Sequence, residues 1–181
     1  MKTIIITLNF LLLSFFSCDK QPKHDDIEQN MDEIKNDAII NGNDFAYGSY
    51  LEYCNNNNLY LEKLSLSLLM NNKHNNLRSY FEVYVNIVEI NNNNEYKAEY
   101  LNNLDSINRL YALHYLKEGA RRNFITCQCT LEKVYRHKYG GAEISREKYD
   151  SLYSVLEKLP SLGRFYKVNK NNKSKIDSAI D

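Results

Sequence analysis

Apolar residues recur at helical period along most of this chain. Leu77, Tyr80, Phe81, Tyr84, Val85 and Val88 fall at i, i+3, i+4, i+7, i+8 and i+11, one wide apolar stripe on a helix of about four turns. Phe124, Cys127, Leu131, Val134 and Tyr135 repeat the pattern, as do Tyr149, Leu152, Tyr153, Leu156 and Leu159. Leu61, Leu64 and Leu68, then Ile107, Leu110 and Leu113, predict partner helices, and Ile27, Met31, Ile34 and Ala38 predict a leading one. The breaks between stripes are mostly asparagine: 55–58, Asn71 and Asn72, Asn75 and Asn76, and 91–94. Asparagine enters the left-handed backbone region and caps helices, so these runs read as helix junctions. Short connections set neighbouring helices antiparallel, and a succession of similar pairs predicts an all-α fold, a short α-solenoid of antiparallel helix pairs.

Composition agrees with helix. Only 6 Gly and 2 Pro punctuate 181 residues, too few for the tight turns of an all-β sandwich or barrel. That length bounds the chain to one modest domain or a short repeat array, and 43% hydrophobic residues suffice for a core despite a mean hydropathy of −0.57. Lys and Arg, 23 together, balance 23 Asp and Glu, so the chain as a whole has no electrostatic pull toward nucleic acid, which is not expected as a partner.

The N-terminus reads as an address. Lys2 precedes an apolar run over 4–16 broken by Thr7, Asn9 and Ser14, the layout of a secretory signal and shorter than the roughly 17–25 residues of a membrane-spanning helix. The first alanine is Ala38, so the usual small-x-small cleavage site is missing. Phe15-Phe16-Ser17-Cys18 resembles the lipobox of bacterial lipoproteins. That resemblance implies a signal peptide over 1–17 that is removed, and a Cys18 that carries diacylglycerol and an acyl chain. Two or more chains make membrane anchoring stable, so the membrane enters as a partner through this anchor. Residues 18–24 then form the lipidated cysteine and its tether, 25–160 the helical repeat domain and 161–181 a polar C-terminal tail. The expected location is the bacterial cell envelope, on the periplasmic face or the cell surface.

Beyond Cys18, three cysteines remain, and an odd number cannot pair completely within one chain. Cys127 and Cys129 point to different faces of a helix, so only one of them can meet Cys54. Cys127, Cys129, His114 and His137 match no zinc-site spacing, and buried structural thiols are the expected state. Gly140-Gly141 lacks the Lys-Ser/Thr of a phosphate loop, and no nucleophile elbow or paired Cys-x-x-Cys is present. No catalytic residue is nominated, no metal or cofactor is expected beyond the lipid on Cys18, and the chain reads as a non-enzyme.

One stretch carries a further resemblance. Ala112-Leu113-His114-Tyr115-Leu116-Lys117-Glu118-Gly119-Ala120 is similar to the second helix of the Sel1-like branch of tetratricopeptide-type repeats. Asn123 and Cys127-Gln128-x-x-Leu131-x-x-x-Tyr135 are similar to the next first helix, and Tyr139-Gly140-Gly141 stands where that family has a Gly-rich loop. Ala46, Ser79 and Cys127 occupy matching small slots, and the longer second interval would hold an insertion around 91–103. In such arrays the first helix of each pair lines a concave groove. Slot by slot, the resemblance points at Phe45 and Glu52, then Arg78, Phe81 and Glu89, then Lys133 and Arg136 as partner-binding residues.

The chain has 15 Tyr and 7 Phe but no Trp, a usage that fills a core and, in excess of it, suits a binding surface. The expectation is an envelope lipoprotein that binds another protein through a helical-repeat groove, with an immunity-type protein as one variant. A cell-wall or β-lactam hydrolase of the Sel1-like secreted type, and a structural envelope lipoprotein, are the alternatives. Asp105-Ser106-Ile107, Asp150-Ser151-Leu152 and Asp177-Ser178-Ala179 resemble an envelope O-glycosylation pattern, the first of which helix capping explains equally well.

Overall fold

Asparagine sets the rhythm of the fold. Asn43 accepts hydrogen bonds from the backbone N–H groups of Phe45 and Ala46 and so starts one helix, and Asn76 starts another by accepting from Ser79. Asn75 ends the helix before it in the left-handed conformation at φ 56°, and Asn58, Asn93, Asn94 and Asn123 also take positive φ at junctions. Asp105 caps in the same way, accepting from Ile107 and Asn108.

The computed structural model describes residues 24–142 and 146–158. Among them the elements are α1 (His24–Asn41), α2 (Asp44–Asn56), α3 (Tyr60–His74), α4 (Leu77–Ile90), α5 (Ser106–Arg121), α6 (Ile125–Arg136) and α7 (Arg146–Glu157). Two short 3₁₀ stretches, Ala98–Asn103 and Tyr139–Gly141, lie between helices. The described residues are all helical, with no strand. The chain divides into two compact units, Met1–Glu33 and Ile34–Asp181. Of the first, the opening turns of α1 are described; α1 from Ile34 on and all the later helices belong to the second.

From α2 onward each helix packs against the next, and α4 also touches α6. The apolar body gathers Tyr80, Val83, Tyr84 and Val88 of α4, Leu116 of α5, Cys127, Leu131 and Val134 of α6, and Tyr149, Tyr153 and Leu156 of α7. Each fully buried aliphatic side chain there contributes about 1.5–3 kcal/mol. Close approach is needed where α5, α6 and α4 meet: a Cβ on Gly119 would lie 2.5 Å from the Cys127 sulfur and 2.8 Å from the Tyr80 Cβ. Gly119 therefore sets the spacing of three helices. One charged group sits in this body: Glu132, 1% exposed, accepts from the Tyr149 hydroxyl at 3.0 Å and from Arg136 at 2.9 Å.

The α2–α3–α4 junction is sealed differently. The Tyr47 hydroxyl donates to Ser67 Oγ at 2.9 Å, Ser67 donates to the Lys63 carbonyl at 2.8 Å, and Asn71 donates to Ser79 Oγ at 3.1 Å. Lys63, only 3% exposed, meets Glu89 at 2.8 Å. Polar residues at these buried positions are matched to one another, as burial demands.

The stripe reading needs one correction. Ile107 and Leu110 are 67% and 70% exposed and Leu61 is 71% exposed, so these do not join helices together. A three-residue spacing slips round a 3.6-residue helix by about 60° per step, and only Leu113 of its trio reaches the interior. The buried face of α5 is instead the smaller set Ala112, Leu113, Leu116, Gly119 and Ala120. Leu159, the last residue of the final stripe, lies outside the described residues.

Candidate functional site: an open cleft between α2 and α4

Helices α2 and α4 run in the same direction with their N-termini together, where Asn76 Nδ2 donates to Asp44 Oδ1 at 2.8 Å. A turn further on, the Arg78 guanidinium crosses from α4 onto the Tyr47 ring, 5.9 Å from its centroid, and its Nε donates to Glu82 at 3.2 Å. A Cβ on Gly48 would stand 2.7 Å from Arg78 Nη1, the free end of a flexible side chain that can shift to make room.

Between the two helices lies an open cleft of about 470 Å³. Phe45, Gly48, Glu52 and Asn55 form the α2 side, Arg78 and Glu82 the α4 side, and Asp44 one end. Phe45 presents its ring to solvent at 84% exposure. An exposed phenylalanine beside charged side chains gives an apolar contact ringed by polar ones, the layout of a small recognition patch. Behind Arg78, burial pushes the Tyr47 phenol well above its ordinary range, so Tyr47 is a neutral ring that the guanidinium covers.

The cleft brings together Phe45, Glu52 and Arg78 of the residues that the repeat resemblance points at. The other four are placed elsewhere. Phe81 is half-buried against the apolar body, tilted on Tyr84 and edge-on to Tyr96. Glu89 faces α3, in its ion pair with Lys63. Lys133 is exposed on α6, and Arg136 folds back on Glu132. Asp44, Gly48 and Glu82 were not singled out by the sequence. An interior helical glycine in a chain with 6 Gly, and the i, i+4 spacing of Arg78 and Glu82, were the available signals.

The insertion between α4 and α5 explains the division. Tyr96 sits edge-on to both Phe81 and Tyr84, with Thr130 of α6 beside its hydroxyl, so the α4–α6 side is covered. The insertion is fixed at its far end. Gly140 N–H donates to Asn102 Oδ1 at 2.6 Å, and Arg109 donates to the Leu104 carbonyl at 2.6 Å.

Cys54 and Cys127 are free thiols. Burial raises Cys54 to about 11 and Cys127 to about 12, so at neutral pH both are protonated packing groups rather than nucleophiles. Among the described residues no three His, Cys, Asp or Glu side chains come together as a metal site. Nor is any described helix long and apolar enough to cross a membrane. Cys18 and the segments expected as signal peptide (1–17) and tail (161–181) lie outside the described residues, as does the expected tether except for His24, which begins α1.

Fold and cleft thus define an all-helical protein with an open, charged cleft between two codirectional helices. No protein-family model, no curated protein and no solved structure matches this chain.

Proposed function

We propose that this chain is a lipid-anchored envelope protein that binds a protein partner, with its helices stacked as a short solenoid of the Sel1-like, tetratricopeptide-type kind. The observation that carries the binding reading is the α2–α4 cleft, which gathers Phe45, Glu52 and Arg78 on first helices of successive pairs in that reading. Two supports favour the solenoid. Codirectional α2 and α4 are related as first helices of neighbouring repeats are, and small side chains or glycine stand at the closest helix approaches. The anchor rests on the residues over 1–18: a short apolar run, a preceding lysine and Ser17-Cys18. An immunity-type role is one variant of this reading.

The test has two arms. In cells fed an alkyne-tagged fatty acid, the intact chain acquires the tag and Cys18→Ser does not; tagging that persists in Cys18→Ser overturns the anchor. Crosslinking from native membranes yields the same envelope protein with the intact chain and loses it with Phe45→Ala combined with Arg78→Glu. Recovery indifferent to those changes overturns the cleft as the binding surface.

A further inference from the structure

The cleft has a charge and a length, and together they describe its occupant. It holds three carboxylates, Asp44, Glu52 and Glu82, against one guanidinium, Arg78. Arg78 is already committed, to Glu82 by an ion pair and to the Tyr47 ring by its face. Asp44 at one end and Glu52 on the α2 wall are therefore the groups left to meet an incoming charge, and that charge is positive.

Length follows from the helix. From Asp44 to Asn55 the α2 wall rises roughly 16 Å, the span of about five extended residues. Asp44 and Glu52 stand about 12 Å apart along that rise, close to the i to i+4 repeat of an extended strand. Phe45, about 1.5 Å beyond Asp44 on that rise, offers an apolar contact at the Asp44 end with 84% exposure. The cleft does not continue toward α6, because Tyr96 covers Phe81 and Tyr84 there.

Resting on the protein-binding reading above, we propose that the α2–α4 cleft takes a short extended segment of a partner protein bearing two lysines or arginines four residues apart. The apolar side chain that follows the Asp44-held cation on the same side of the strand packs on Phe45. Asp44 and Glu52 hold the two cations, and Arg78 with Glu82 forms a self-neutralised floor that admits the segment without repelling it. The α2 wall, from Asp44 to Asn55, limits the segment to about five residues.

The experiment uses the full chain and a fluorescent nine-residue peptide with lysine at positions 3 and 7, leucine at 5 and alanine elsewhere, read by anisotropy. The expected result is saturable binding that weakens at least tenfold on Glu52→Lys, at least tenfold on Phe45→Ala, and steeply with added salt. Circular dichroism confirms that each variant keeps its helicity, and Lys117→Ala, exposed on α5 and outside the cleft, binds as the intact chain does. A matching peptide with glutamate in place of both lysines stays unbound. No binding of the lysine peptide, equal binding of the glutamate peptide, or indifference to Glu52→Lys overturns the proposal. Should an envelope partner still crosslink in a Phe45-dependent, Glu52-independent way, the basic segment is refuted while the protein-binding reading stands. Loss of Phe45 dependence in both experiments refutes both.

Discussion

The two sides of α4 are held by opposite chemistry. Toward α5, α6 and α7 it presents Tyr80, Val83, Tyr84 and Val88 to an apolar body in which Leu116, Val134 and Leu156 are fully buried. Toward α2 and α3 it presents Ser79, Asn86 and Glu89 to Asn71, Ser67 and Lys63, a seam of hydrogen bonds and an ion pair set beside the buried Leu66 and Met70 of α3. Apolar burial is additive and tolerant, since each buried group contributes its own share and neighbours adjust. A polar seam is conditional: each member stabilises only while its partner is present, and an orphaned group costs its full desolvation. The cleft lies on the conditional side, beside Tyr47 of the seam. Its lining thus rests on matched pairs, whereas the covered α4–α6 side rests on packing.

The largest expected effect breaks the seam at its buried charge. Lys63→Met leaves Glu89, whose side chain is 14% exposed, without its cation, and loss of one partner of a buried pair costs about 3–5 kcal/mol. The double variant Lys63→Met with Glu89→Leu removes both charges and returns most of that stability, because a well-packed apolar pair replaces a buried ion pair at little net cost. Urea denaturation of the single and double variants measures the coupling. A single variant within about 1 kcal/mol of the intact chain would show that the seam is not conditional.

A smaller effect puts one chemical change on both sides. Tyr47→Phe deletes a hydroxyl that donates to Ser67, a loss of about 1 kcal/mol. Tyr84→Phe deletes a buried hydroxyl that makes no well-formed hydrogen bond, with the Tyr96 phenol as the polar group facing it. Removing an unsatisfied group is neutral to stabilising, by up to about 1 kcal/mol. Thermal midpoints should therefore move in opposite directions, by about 2–4 °C for each kcal/mol in a chain of this size. Equal losses from the two variants would erase the distinction between seam and body.

The same contrast governs how much of the structure was legible in the sequence. The stripe from Leu77 to Val88 and its counterparts in α6 and α7 show helices at once, because apolar residues facing one another recur at helical period. The Asn junctions were legible too, since capping is a local property of the side chain. The seam was not. Lys63, Ser67, Asn71 and Asn86 are residue types expected at the surface, and only their partners on other helices account for their burial. Ile107 and Leu110 mislead in the opposite sense, apolar in type yet facing solvent. For the cleft, Phe45, Glu52 and Arg78 were three of the seven residues that the repeat resemblance pointed at, whereas Asp44 and Glu82 were hidden among 23 acidic residues.

The smallest effect is graded by acid. Glu62 on α3 pairs with Lys35 of α1 and accepts from the Tyr50 hydroxyl of α2 at 2.7 Å, and these two contacts, Lys35 first, hold its carboxyl below the usual value of 4.5. A carboxyl depressed by folding stabilises fully above its ordinary value. The contribution fades as pH falls through the lower folded value, because the unfolded chain binds the proton first. With Glu62 partly open to solvent, the loss is no more than about 1 kcal/mol. Glu118 on α5 is lowered further, to about 2, by Arg121 and then Arg122, yet all three lie together at one helix end. Acid at Glu62 therefore loosens a junction of three helices, while acid at Glu118 frays one. Amide NMR signals followed from pH 6 to pH 3 should shift and broaden around Lys35, Tyr50 and Glu62 before those around Leu116 and Val134. Glu62→Gln should abolish that early step. Simultaneous change in both regions would mean that seam and body unfold as one unit.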